Sequence, residues 1–429
     1  MNKEISYGDY VEVSTGKKAF EGIFLEVPES ENGLILLKLD NGYNVGIKKK
    51  DITKIEILEK KKEIQKEKIS LPSSDKKPNV GLIILGGTIA SKYDPKTGGV
   101  SWLSNKEEFF KFYPEIFEVC NVSKVEIPFM KGSENMDYID WKKVARTAKE
   151  FLDEKSIEGI IITQGTDTLQ YTSCALSFFL RNPNKPVVLT YSQRSIDRAS
   201  SDANLNLRCA AIMAISNISE VMVVGHGSSE DDFCYAHYGT KVRKLHSSKR
   251  DAFRSVNSFP IAKIFRDRFD IVSKDYSLKE LKSKFNLDAN FEEKVALLKF
   301  YPGQNPDILD YYLKKDYKGI VIEMLGLGHV GTSESRNSWI SKLKELTQKG
   351  VTICATAQTI NGRLNPLVYS TGRELEKTGI IYLEDMLTET AFVKLGWVLG
   401  HKEWVENPEE IKKKMLTNFS HEINKSLAI

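Results

Sequence analysis

Five cysteines in 429 residues, Cys120, Cys174, Cys209, Cys234 and Cys354, are a poor basis for a disulfide framework. Their count is odd and none are spaced as CxxC, so they read as reduced core thiols of a cytoplasmic protein. The 6 histidines do not cluster. His237 and His246 stand too far apart for a helical pair, so no metal site is expected. No apolar stretch is long enough to span a bilayer. Met1-Asn2-Lys3-Glu4 runs straight into polar sequence, so no signal peptide is expected. The formal net charge of +4 is too small to identify a partner. No internal repeat is visible, and no P-loop or kinase motif for ATP is present.

What remains is an ordinary globular composition, 41% hydrophobic and 28% charged, with room for two or three domains. Residues 6–58 alternate apolar and polar over short runs, as in Tyr10-Val11-Glu12-Val13 and Ile23 to Val27. Asp40-Asn41-Gly42 between two runs is a hairpin signal. The expectation is a small all-β barrel over 1–59. Residues 60–78 are polar and carry Leu71-Pro72-Ser73-Ser74, which reads as a linker. Its lysines are of a kind that touches RNA phosphates, but interspersed glutamates dilute the charge and favour a solvated linker.

From Pro78 the period changes. Apolar strands, Leu82–Leu85, Ile160–Thr163, Val187–Tyr191, Val221–Val224, Ile320–Leu325 and Thr352–Ala355, alternate with helical patterns at Trp141–Leu152, Leu205–Ile215 and Trp339–Leu346. This predicts an α/β body of two lobes with mostly parallel sheets, residues 79–275 and a smaller lobe at 295–429. Lys274 to Lys294 lacks strand character and serves as the connection.

Two strand ends carry the chemistry. In VGLIILGGTIAS an apolar run breaks at Gly86-Gly87 and Thr88 follows. In GIIITQGTDTLQYT a second run breaks at Gln164-Gly165, and Thr166-Asp167-Thr168 opens a helix. Such turns lift hydroxyls to the carboxyl end of a sheet, where open α/β sheets bind ligands. One such threonine alone reads as a helix cap. Two, with a carboxylate beside one, point to a nucleophile site. A threonine needs a base. The segment from His237 to Asn257 offers Lys241, Lys244 and Lys249, and the residue pattern does not choose among them.

LGGTIAS, TQGTDTLQYT and the lysine segment together resemble the L-asparaginase family over roughly Pro78 to the C-terminus. The resemblance implies hydrolysis of side-chain amides through a threonyl acyl-enzyme. It implies Thr88 as first threonine and Thr166 with Asp167 as the second pair. It selects Lys244, nine residues before Phe253, as the family lysine. In KGSENMD, Ser133 and Glu134, together with Gly165, fall where the family binds its amino-acid substrate. No metal is implied. The family's loop tyrosine finds only Tyr93, unusually close to Thr88, and Gly98-Gly99 suggest a mobile lid. The order of attack stays open: Thr88 is preferred as nucleophile, but a lysine partner suits Thr166.

The N-terminal barrel and Tyr191 to Leu207, YSQRSIDRASSDANLNL, are similar to the archaeal Glu-tRNA(Gln) amidotransferases. That similarity implies release of ammonia from glutamine or asparagine. It implies a partner chain, GatE, that binds tRNA(Gln) and activates glutamate with ATP and magnesium. It also implies a homodimer within a heterotetramer, with no cofactor in this chain. The alternative is a free-standing asparaginase or glutaminase with an extra domain. An RNA-binding adaptor with an inert fold is disfavoured, because Thr88, Thr166, Asp167 and Lys244 are all intact.

Overall fold

A computed structural model describes residues 5–426, apart from 17, 26, 28–32, 40–43, 61–71, 95–98, 104–105, 199 and 281–284. The alternating N-terminal segment folds as five antiparallel strands. In spatial order they are Asn44–Lys48, Leu34–Lys38, Ala19–Leu25, Tyr10–Thr15 and Ile52–Glu59. Period-two alternation gives Tyr10–Thr15 and Leu34–Lys38 one dry face each. Val11, Val13, Ile35, Leu37 and Ile47 form a small core of their own. The Asp40-Asn41-Gly42 hairpin signal lies outside the described residues. The strands beside it do pair, with Lys38 opposite Asn44. Most of the expected linker, 61–71, also lies outside.

The body begins where runs of buried aliphatics replace alternation, as strands covered on both faces require. Its large sheet has eight strands. Five are parallel, in the order Val221–His226, Val187–Thr190, Ile157–Thr163, Asn79–Ile84 and Asn121–Glu126. Beyond Val221–His226 three short strands extend it antiparallel: Cys234–Tyr238, Ala262–Ile264 and Phe269–Ile271. The smaller lobe has four parallel strands: Val295–Lys299, Gly319–Met324, Thr352–Ala357 and Ile381–Tyr382. Between the lobes the described residues of 274–294 hold no strand, only a single bridge at Leu278.

Helices lie where the apolar stripes place them. Tyr138–Asp153 starts at Asp137, whose side chain and that of Asp140 form a reciprocal capping box. Leu169–Phe179 and Thr388–Leu399 are buried along nearly their whole length and pack on each other, with Phe178 stacked on Trp397 at 5.3 Å. Their contact joins the lobes, so one apolar core runs from Ile83 and Leu189 through Phe178 to Val321 and Cys354. All five cysteines are free and buried. Burial pushes the Cys120 and Cys354 thiols up to about 12. Among the described residues no helix is long and apolar enough to cross a membrane.

The N-terminal sheet keeps its core apart from the body, and Asn121 holds the segment between them through Ser74 and Lys77. A chain beginning at Ser73 is therefore expected to melt cooperatively within a few degrees of the full chain in calorimetry. A broad or lost transition would show that the body depends on the sheet.

Candidate active site

The site is built by backbones that touch. After the strand Asn79–Ile84 and Leu85, Gly86 and Gly87 take φ values of 109° and 80°. That conformation favours glycine. Space forbids a side chain as well. A Cβ on Gly86 would lie 2.6 Å from the Lys131 carbonyl oxygen, and one on Gly87 would run into the Gly165 backbone. Thr88 then opens the short turn Thr88–Ala90, whose carbonyl groups are held by Ser91 Oγ at 3.0 Å and Tyr113 Oη at 2.8 Å.

Gly165 belongs to the neighbouring strand end, so contact between the two glycines sets Thr88 beside Thr166. A third segment locks the second turn. Ser133 Oγ accepts the Asp167 N–H at 3.2 Å, and the Ser133 carbonyl accepts the Thr168 hydroxyl at 2.7 Å. The helix beyond starts at Thr168, which makes no side-chain cap. Thr166 and Asp167 are therefore not spent on capping, and their side chains serve something else.

Lys244 supplies the partner. It ends the strand Val242–Lys244, which pairs with Phe253–Ser255. Its Nζ donates to Thr166 Oγ1 at 2.7 Å and to Asp167 Oδ1 at 2.8 Å. Thr166 is 9% exposed and the Asp167 side chain 66%, so the hydrogen-bonded chain runs from a buried hydroxyl to a carboxylate at the surface. The Thr88 hydroxyl makes no hydrogen bond among the described residues, which leaves it available to a ligand. Both threonines line a cavity of about 450 Å³, with Ser133, Glu134, Gly165 and Asp167 in its wall. That volume falls in the range of small-molecule sites.

The other two lysines of the segment go elsewhere. Lys241 is fully buried against Asp385, and Lys249 is exposed to solvent. Among the described residues no group of histidine, cysteine and carboxylate side chains is arranged to hold a metal.

The chain matches three family descriptions in sequence: the GatD N-terminal domain over residues 5–58, asparaginase, N-terminal, over 79–276, and the glutaminase/asparaginase C-terminal domain over 294–415. It is 48% identical over 408 residues to the GatD chain of the glutamyl-tRNA(Gln) amidotransferase of Thermococcus kodakarensis, covering 94% of this chain and 90% of that one. It is 46% identical to the corresponding chain from Pyrococcus furiosus, covering 98% and 95%. The chain belongs to the GatD family of glutamyl-tRNA(Gln) amidotransferase subunits. Among solved structures, the thermostable L-asparaginase from Thermococcus kodakarensis superposes with a TM-score of 0.70 at 30% identity, covering 81% of this chain and 100% of that one. L-asparaginase I from Vibrio cholerae, at 24% identity and a TM-score of 0.68, shares the fold over 81% of this chain and 99% of its own.

Within this GatD framework several residues went unremarked in the sequence. Trp102 and Val100, on the hairpin after Thr88, close one side of the cavity, and Met130 and Lys131 another. Lys131 Nζ is held by Asp140 at 2.7 Å, at the start of the long helix. Their proximity to Thr88 and Ser133 along the chain was the only available signal. Tyr93 does not line the cavity. Its ring lies under Lys38 Nζ of the N-terminal sheet at 3.9 Å, and its N–H donates to Asp197 at 2.8 Å. Burial with two nearby carboxylates pushes its phenol up to about 12. Pro95 to Gly98 of the expected lid lies outside the described residues.

Gly350 provides a control for Gly87. Its φ is 83°, and an added Cβ would meet nothing within 4 Å. Gly350→Ala is expected to cost only the left-handed backbone penalty, about 1–2 kcal/mol. Gly87→Ala adds a backbone collision and should cost roughly 1–3 kcal/mol more. Urea unfolding of the two variants measures the difference; equal losses would mean that the strand ends do not touch.

Proposed function

We propose that this chain generates the ammonia used by a Glu-tRNA(Gln) amidotransferase. It hydrolyses the side-chain amide of glutamine or asparagine and hands ammonia to its partner, GatE. The partner converts Glu-tRNA(Gln) to Gln-tRNA(Gln), with ATP and magnesium on its side. The observation that carries the reading is the Lys244 bridge between Thr166 and Asp167, facing Thr88 across one cavity in a chain of this family. The resemblance adds a homodimer within a heterotetramer, working in the cytoplasm beside tRNA.

The substrate ammonium pairs with Asp167 and Glu134, the two carboxylates in the cavity wall. Thr88 Oγ1 attacks the amide carbon. Backbone N–H groups at the glycine turns meet the oxyanion, a contribution of about 3 kcal/mol where measured elsewhere. The Asp167 N–H is already committed to Ser133. The Thr88 proton passes through Thr166 and Lys244 to the amide nitrogen, the C–N bond breaks and ammonia leaves. Water then attacks the ester carbon, its proton returns to Thr88 Oγ1, and the acid is released. A second reading makes Thr166 the nucleophile, and the 2.7 Å contact with Lys244 favours it. In both, the strand ends must meet before chemistry begins.

Thr88→Val and Thr166→Val are nearly isosteric, and each is expected to abolish ammonia release while the melt stays close to native. Supplied with free ammonia and the partner, both should still support amidation. Near-native amide hydrolysis by either variant removes that threonine from the mechanism.

Two of the three lysines are separated by the same assay. Lys244→Ala is expected to lower turnover by about 10²–10⁴-fold, the range for loss of a positioned proton carrier. Lys249→Ala should be almost silent in the same assay. The reverse ranking would place the relay on the wrong lysine.

A further inference from the structure

Four consecutive residues, Thr240 to Arg243, lead up to Lys244, and three of them hold the C-terminal lobe. Thr240 Oγ1 donates to the Ser420 carbonyl at 2.6 Å, and the Thr240 carbonyl accepts Thr390 Oγ1 at 2.7 Å. Arg243 Nε pairs with Glu389 at 3.0 Å. The centre of the grip is Lys241. Its Nζ donates to Asp385 Oδ2 at 2.8 Å and to the Asp385 carbonyl at 3.1 Å, and neither side chain has any exposed surface.

Asp385 is itself fixed. Its Oδ1 accepts the Asn424 N–H at 3.0 Å, and Asn424 Nδ2 reaches Oδ2 at 2.7 Å. Asn257, just past the paired strand, donates to the Asp385 and Gly362 carbonyls at 3.1 Å each. The Lys241 carbonyl accepts the Val256 N–H at 2.8 Å, which ties the buried pair into the same two-stranded ribbon. Burial draws the Lys241 ammonium pKa down, and Asp385 opposes that. The relay itself uses neither residue. A buried ion pair is a poor source of stability compared with apolar side chains of like size, so its presence here asks for another reason.

We propose that Lys241 and Asp385 are positioning residues: their buried pair fixes the strand that presents Lys244 to Thr166, so the C-terminal lobe sets the geometry of the relay. Lys244 lies three residues from Lys241, at the end of the short strand Val242–Lys244, so a shift at the anchor is carried directly to its Nζ. The proposal rests on the amide hydrolysis put forward above, and one of its readouts is independent of activity.

Asp385→Asn keeps the side-chain shape and removes the charge. It should lower kcat about 10–100-fold, the cost of a misplacement near 1 Å, with KM within about twofold of native. Turnover is measured with the full chain and its partner on the β-hydroxamate of aspartate, an activated substrate that keeps slow variants measurable. On a Lys244→Ala background the same substitution should cause no further loss, because the two act through one residue. A crystal structure of Asp385→Asn should show Lys244 Nζ withdrawn from Thr166 Oγ1. Lys241→Met is the companion variant; if it fails to fold, Asp385→Asn decides alone. An equal loss on both backgrounds, or an unmoved Lys244, overturns the proposal. A wild-type chain that releases no ammonia, or a Thr166→Val chain that keeps its rate, overturns the functional reading instead, and the crystal structure still judges the position of Lys244.

Discussion

The contact between Gly87 and Gly165 is the constraint on which the site depends. In the chemistry proposed above, one hydroxyl works beside a second across two separate strand ends. Adjacent parallel strands are about 4.8 Å apart, and ordinary side chains at their ends would push the turns outward. Bare backbone at both positions lets the turns close until the chains touch. Ser133 then finds the Asp167 N–H within reach, and Thr168 finds the Ser133 carbonyl. The glycines supply no catalytic group. They set the distance at which the groups of others become useful.

A second constraint acts between lobes. The cavity belongs to the larger lobe, yet the lysine bonded to its Thr166 and Asp167 rides on a ribbon held from the smaller one. The apolar core is continuous across the same boundary, through Phe178 and Trp397. Apolar packing is non-directional and fixes the lobes only loosely in register. The buried Lys241–Asp385 pair crosses that boundary, is directional and demands one geometry. The division of labour follows: area holds the lobes together, and buried charge specifies how.

Much of this was legible in the sequence because it is local. Runs such as Ile160–Thr163 and Val221–Val224 are buried on both faces, so they read as strands without any partner in view, although the strands themselves start at Ile157 and run on to His226. Thr88, Thr166 and Asp167 stand beside glycines that interrupt such runs, and a broken apolar run is a visible event. Lys244 needed the family pattern, because three lysines within nine residues look alike until burial separates them. The judgement that two such threonines are more than helix caps agrees with the helix, whose N-cap is Thr168 and not Thr166 or Asp167. The antiparallel extension of the large sheet was not visible, since Ala262–Ile264 and Phe269–Ile271 are three residues each and carry no period. Asp385 was beyond reach, as a lone carboxylate 144 positions from its lysine leaves no trace in spacing.

The five buried thiols have a practical consequence. Cysteine reagents attack the thiolate, and burial pushes the Cys120 and Cys354 thiols up, so they offer much less of it at neutral pH than an ordinary surface cysteine. Burial withholds all five from bulky probes as well. One cysteine engineered onto the N-terminal sheet and another beside the Ser91–Tyr93 hairpin would thus take up spin labels or fluorophores with the native five left in place. The separation between Lys38 and Tyr93 becomes an observable in solution, readable while the protein turns over.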